Sequence, residues 1–581
     1  MALARTTVLF FLLLTSFAAA QPGKLAPDTP GLSDTGLIDV IVQYRTTPTE
    51  QQHGRIQRRG GQHNGDLPSI NAAVYSIRVA DAAEIAEDPD VLYVSPDRPV
   101  ESLLDVSNPT VGAPYSLSYG WDGTGIGIAI IDSGVLAVRD LLALNSSATN
   151  TTRIVYNQSF VKGVSSTLDQ YGHGTHVAGI AAGNANLSTG TAYTKSFRGV
   201  APNAKIINLR ALDSKGVGTD SSVIAAIDRA IQLKNEYNIR VINISLGRPV
   251  YESYTRDPLC QAVERAWKAG IVVVVAAGNG GRNQSQMTDG YGTITSPAND
   301  PLVITVGAMK AMETASRADD LIASYSSKGP TLLDHVVKPD LVAPGNRVIS
   351  LVASKSLVAN SSTATNRVLY SYYQQTSAKT YSADYYKLSG TSMAAPMVAG
   401  AAAVMLHKDW SLSPDTIKAR LMRSSSKTFP SYSVATDPVS GATFTTQYDI
   451  FSVGAGYLDI TAALNDTTVV DSGSTAASPI AVFDSLTRTV RVVNTDTAIW
   501  GKAAIWGSAA IWGSAAVWGT NVFIDGQAAI WGSAAIWGSA AVWGTGGTTQ
   551  GNAAIWGSAA IWGSSITPGG EMLTQLINGE K

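Results

Sequence analysis

Several side chains in this sequence stand where they could make and break a covalent bond. Asp132 lies near the end of the apolar run GIGIAIIDSGV (125–135), and His173 and His176 sit one helical turn apart in YGHGTHVAGI (171–180). Asn279 ends IVVVVAAGN (271–279), and Ser392 follows a Gly-Thr turn and opens an apolar helix in LSGTSMAAPMVAG (388–400). An acid that has just left an apolar strand is partly desolvated and can accept an imidazole N–H, although taken singly it is equally well a turn or helix cap. Two histidines on one turn suit either a metal pair or a single general base. A zinc-binding helix of the known pattern needs histidines at i,i+4 with a glutamate between, and this segment has neither feature. A serine at a helix N-terminus is ordinarily a cap. Taken together, however, acid, imidazole and hydroxyl supply an orienter, a base and a nucleophile, the set that activates an otherwise inert alcohol. The Asn279 amide adds a donor for a developing oxyanion, against the alternative of a turn-forming Asn before Gly280.

The elements that must position these groups are legible as apolar runs. Strands are expected at 125–135, 204–212, 240–247 and 271–279, with a helix at 221–237 among those between them. The runs are nearly continuous and β-branched, without strict alternation, which implies strands buried on both faces. The expected fold class is therefore α/β, a mostly parallel central sheet with helices on both faces. Sites in such sheets form beyond the carboxyl ends of the strands, which is where Asp132 and Asn279 fall. Gly172, Gly174 and Gly179 are expected to let a histidine-bearing helix approach neighbouring backbone closely. Cys260, the single cysteine, allows no intrachain disulfide and is read as a buried small hydrophobe.

Composition bounds the rest. The chain has 581 residues, 45% of them hydrophobic and 15% charged, as in a globular protein of more than one domain. Lys plus Arg number 42 against 44 Asp plus Glu, so no basic excess offers a nucleic-acid partner. Residues 1–20 carry Arg5, an apolar core at 8–14 and Ala18-Ala19-Ala20, the pattern of a secretory signal; the core is too short for a transmembrane anchor. Secretion is expected. Residues 36–100 read as strand, helix and strand, an α+β unit small for a stable core of its own without staples. Residues 466–496 form a Ser/Thr/Asp-rich connector, and 497–581 contain nested AAIWGS hexads. Six residues place each Trp on one face of a strand but scatter them around a helix, so the tail is expected to be β-prone. Two readings of it stay open: a Trp surface for binding glycan, wall or protein, and a structural or aggregation-prone repeat.

The stretches AIIDSGV around Asp132, GHGTHVAGI around His173, AAGN at Asn279 and GTSMAAPMVAG around Ser392, in that chain order, resemble the subtilisin-family serine endopeptidases, the subtilases. Both the Asp-His-Ser order and the oxyanion asparagine are known patterns for which subtilisin is the type example. GVAPNAKI (199–206), SLG (245–247), KPDLVAPG (338–345) and GAGYLDI (454–460) extend the resemblance over roughly 110 to 465. It implies that His173 is the base, oriented by Asp132, that Ser392 is the nucleophile, and that His176 is a packed structural residue. It further implies that substrate pairs as an extended strand with Ser245, Leu246 and Gly247. Ala276, Ala277 and Gly278 would then wall the first side-chain pocket, with a second portion near 295–297. Small uncharged liners suggest apolar residues before the cut, and Arg248, where the family commonly has glycine, adds an acidic preference.

By the same resemblance residues 21–105 are a propeptide, an intramolecular inhibitor and folding aid released by self-cleavage between about 100 and 106, and 106–465 are the catalytic domain. The chemistry requires no cofactor. Many relatives bind structural calcium through the loop matching 183–199, which here contains no acidic residue, so no metal ligands are assigned. The expected function is a secreted serine endopeptidase made as an autoprocessed zymogen and acting on polypeptides. The rival from another class is a non-catalytic exported binding protein that works through its Trp-rich tail.

Overall fold

The computed structural model describes residues 24–25, 36–67, 71–96, 107–143, 152–283, 290–361, 366–437, 441–484, 489–493, 576 and 580. The expected leader, the segment of expected self-cleavage and the Trp hexads lie outside the described residues. The chain divides into two compact units, Met1–Glu101 and Ser102–Lys581.

In the first unit, four strands, β1 (Leu37–Tyr44), β2 (Gln62–Leu67), β3 (Ala72–Arg78) and β4 (Val91–Pro96), form an antiparallel sheet in the order β2-β3-β1-β4. Two helices, α1 (Glu50–Gln57) and α2 (Ala82–Ala86), supply Ile56 and Ile85 to a core with Val40, Val42, Tyr75 and Val94. A Thr49 capping box with Gln52 starts α1. The unit is α+β, with a small core of its own.

The second unit is built on an eight-stranded sheet. Its strands are β5 (Gly127–Asp132), β6 (Ile154–Ser159), β7 (Lys205–Arg210), β8 (Ile239–Ile244), β9 (Val272–Ala276), β10 (Ile304–Lys310), β11 (Leu321–Ile322) and β12 (Leu341–Pro344). The order is β11-β10-β9-β8-β5-β7-β6, with β12 also on β10; every pairing is parallel except β10 with β11. Every residue of β5 and β9 is buried, as the absence of alternation in their sequences requires. The helices include α3 (His173–Ala182), α4 (Asp220–Gln232), α5 (Pro258–Lys268) and α6 (Thr391–Lys408). An antiparallel annex of β13 (Val348–Leu351), β14 (Arg367–Leu369) and β15 (Tyr381–Leu388) leads into α6.

Sheet topology selects the place of the site. The chain leaves β5 toward β6 and β7 on one side, then crosses to β8, β9 and β10 on the other. The crevice beyond the carboxyl ends of β5 and β8 is thus a switch point, where connections diverge and leave room for a ligand. Helix α6 is apolar on every side, with Met393 through Leu406 buried, and it packs beneath this rim against α3, β8 and β9.

Candidate active site

Asp132 is the last residue of β5, 1% exposed, and its Oδ1 accepts the Ser133 backbone N–H at 2.7 Å. His173 is the first residue of α3, and its Nδ1 lies 2.8 Å from Asp132 Oδ1 and 3.0 Å from Oδ2. So close an approach of helix to strand end depends on Gly174: a Cβ there would sit inside the contact shell of the Gly134 carbonyl oxygen and 3.1 Å from the Asp132 Cβ. The glycine-permitted approach expected of this helix is present.

Asp169, a residue the motifs did not single out, fastens the same corner. Its Oδ1 accepts the Gly172 N–H at 2.6 Å and the Ser133 hydroxyl at 2.8 Å, and its Oδ2 accepts the Thr175 N–H at 2.8 Å. The Ser133 oxygen in turn accepts the Gly174 N–H at 3.0 Å. Orphan donors at the start of α3 are thereby satisfied by one buried carboxylate. An acid just ahead of an expected helix start is a cap signal that could have revealed it.

Ser392 occupies the first turn of α6, half-buried, behind a Gly390 N-cap with φ of 152°. A Cβ at Gly390 would stand 3.3 Å from Asn279 Nδ2. The Ser392 hydroxyl donates to the Ser245 carbonyl at 3.0 Å rather than to His173, and the Ser245 hydroxyl donates back to the Ser392 carbonyl at 2.9 Å. Pro396 explains this reciprocal pair. It has no N–H, so the Ser392 carbonyl lacks its helical partner four residues on and is free to accept from the end of β8. Asn279 stands just beyond β9, where its Oδ1 accepts from the Thr391 N–H at 3.0 Å and the Thr391 hydroxyl at 3.1 Å. With its oxygen so occupied, its amide nitrogen faces Gly390.

The electrostatics follow from burial and neighbours. Desolvation alone would push the His173 imidazolium down, but the Asp132 carboxylate, by charge and hydrogen bond, and Asp169 behind it hold the ring above the ordinary imidazole value. His176 is fully buried, and burial together with the charge of His173 holds it down at about 3. It is a neutral, packed ring.

A sequence profile described as the subtilase family matches residues 123–457, more than half of the chain. The chain is a subtilase. This subtilase is 35% identical over 351 residues to "Serine protease AprX" of Bacillus subtilis (strain 168), a match covering 59% of the chain and 71% of that protein. It is 34% identical over 313 residues to Subtilisin DY of Bacillus licheniformis, covering 54% and 88%, and 29% identical over 411 residues to Subtilisin E of Bacillus subtilis (strain 168), covering 69% and 86%. It is a subtilisin-like serine endopeptidase, with polypeptides as its substrate class, and the family's catalysis needs no cofactor. That activity sets aside the reading of the chain as a binding protein alone.

Elsewhere around the rim of the subtilase, Ser245, Ala276 and Ala277 are buried, while Leu246, Gly247 and Gly278 keep exposed surface. Leu246 and Gly247 have no backbone partner among the described residues. The acidic preference expected from Arg248 is corrected: its guanidinium meets Asp220 at 2.9 Å and Asp257 at 2.8 Å, so its charge is already neutralised. Its backbone is also engaged, exchanging two hydrogen bonds with Ser296. In the 183–199 loop, the Leu187 N–H donates to the buried Asp140 carboxylate at 2.6 Å. The other Asp140 oxygen accepts the Tyr385 hydroxyl, and burial raises this carboxyl to about 6. Cys260 is buried in α5, its thiol pushed up by desolvation. Among the described residues no helix is long and apolar enough to cross a membrane.

Proposed function

We propose that peptide-bond hydrolysis runs through Asp132, His173 and Ser392, with Asn279 as oxyanion donor. The observation that carries this reading is the Asp132–His173 pair, 2.8 Å apart at the carboxyl end of a buried strand. Accepting a hydrogen bond from Nδ1–H, Asp132 fixes the tautomer in which Nε2 is the free base. A χ1 rotation turns the Ser392 hydroxyl from the Ser245 carbonyl toward Nε2, and such catalytic hydrogen bonds commonly tighten only once substrate binds. His173 takes the proton as Ser392 Oγ attacks the scissile carbonyl. The oxyanion is met by the Asn279 amide and the Ser392 backbone N–H, at the positive end of the α6 dipole. His173 then delivers the proton to the leaving amine, and water cleaves the acyl-enzyme by the same relay.

Substrate would add as a strand along Ser245, Leu246 and Gly247, supported by the last two having no backbone partner among the described residues. Ala276, Ala277 and Gly278 would wall the first pocket, and with Arg248 neutralised the preference would rest on apolar fit. Residues 21–105 would act as propeptide, inhibiting the enzyme until self-cleavage, and the leader would direct the zymogen out of the cell. A fluorophosphonate probe tests the core of this reading. Mature wild type should be labelled and Ser392→Ala should not; wild type that takes up no probe after propeptide removal would overturn it.

A further inference from the structure

The family match ends at residue 457, yet two residues far beyond it are built into the catalytic unit. Leu576 is 7% exposed and its carbonyl accepts the Ser389 N–H at 2.9 Å. Glu580 is 4% exposed, and its main chain is clamped from both sides by Asn346, whose Nδ2 donates to the Glu580 carbonyl and whose Oδ1 accepts the Glu580 N–H, each at 2.8 Å. The Glu580 carboxylate accepts from the Ser324 N–H at 2.8 Å, from Arg282 at 2.8 Å and from the Ser324 hydroxyl. Lys310 Nζ lies 3.9 Å from its second oxygen. A buried carboxylate is costly unless it is paired and hydrogen-bonded; here Oε1 takes the hydrogen bonds and Oε2 faces the Lys310 charge, an arrangement that marks a built docking site.

The loops touched are those that carry the active site. Arg282 lies three residues after Asn279, and Ser389 lies three residues before Ser392. Asn346 follows Gly345, whose carbonyl accepts the Gly390 N–H at 2.8 Å and the Tyr325 hydroxyl at 3.1 Å. The strand Ile480–Asp484 before the repeats is anchored on the same unit, where the Ala481 N–H donates to the His335 carbonyl at 2.9 Å.

We propose that Leu576 and Glu580, docked in cis as a two-point strap on Arg282, Ser324, Asn346 and Ser389, position the loops of Asn279 and Ser392 for catalysis. This rests on the catalytic reading of those two residues given above. Glu580 is a positioning residue, and the site that receives it suits a segment with an apolar residue four positions before an acid.

The test uses a chain ending at residue 572, a synthetic peptide of residues 573–581, and the same peptide carrying Glu580→Lys. Truncation should lower kcat by about tenfold to a hundredfold, the scale of ångström-sized misplacement, with KM changed less than about twofold. The wild-type peptide should restore kcat and the Glu580→Lys peptide should not. Fluorescence anisotropy on the truncated Ser392→Ala chain reads peptide docking without reference to activity. Full kcat in the truncated chain, or a peptide that docks without restoring kcat, overturns the strap. Should the truncated chain fail to fold, Glu580→Lys in the full chain is the second variant: lowered kcat at unchanged KM supports the proposal, and wild-type kcat overturns it. A full chain unlabelled by fluorophosphonate would instead refute the catalytic reading, while anisotropy would still report docking.

Discussion

His173 works at the meeting of two opposed effects: burial disfavours its charged form, and the Asp132 and Asp169 carboxylates favour it more strongly. The base must be neutral to accept a proton, so activity is lost as pH falls through a pKa held above the ordinary imidazole value of about 6.5. The acid limb of kcat/KM is accordingly expected at higher pH than for an unperturbed histidine. Asp169→Asn, which removes a charge but keeps hydrogen-bonding atoms, should move that limb to lower pH with a modest loss of rate. Asp132→Asn should cost about 10⁴ in kcat, since the wrong tautomer is then held. A pH–rate profile of the three proteins checks both, and a limb that stays put in Asp169→Asn would remove Asp169 from the electrostatics of the site.

Between elements, the contact that seats α6 on β8 is the reciprocal pair of Ser245 and Ser392, made available by Pro396. Ser245→Ala leaves the Ser392 carbonyl without a donor, a loss of about 1–3 kcal/mol by the usual cost of an orphaned buried acceptor. Pro396→Ala supplies an N–H that can take over the same carbonyl. The double variant should therefore recover part of what Ser245→Ala loses, and a double-mutant cycle of denaturant unfolding should give a coupling energy of at least ~0.5 kcal/mol. Strict additivity would show that Pro396 is unconnected to the pair. The motif around Ser392 was plain in the sequence, but the partner of its carbonyl was not, because Ser245 lies 147 positions away.

For the whole molecule, the tail and the catalytic unit separate into two questions. Excising residues 497–572 while keeping 573–581 should leave hydrolysis of a short soluble peptide within about twofold, if the repeats take no part in positioning active-site groups. If they display Trp for binding, as aromatic faces do at recognition surfaces, the same excision should reduce retention on cells, glycans or insoluble protein. Equal retention before and after excision would leave the structural reading of the repeats.

Much of the fold was determined by the sequence alone. Runs such as GIAIID and VVVVA are short and β-branched with no alternation, so they fit strands covered on both sides, and their ends locate the rim where Asp132 and Asn279 stand. What the tertiary structure decided are the partners that no local pattern encodes. Arg248 reads as a free cation until folding places Asp220 and Asp257 beside it. Glu580 is one acid beyond a run of Trp hexads until Arg282 and Asn346 meet it. Periodicity reports which face of an element avoids water, whereas the partner of a polar group depends on which distant segment folding brings within 3 Å of it.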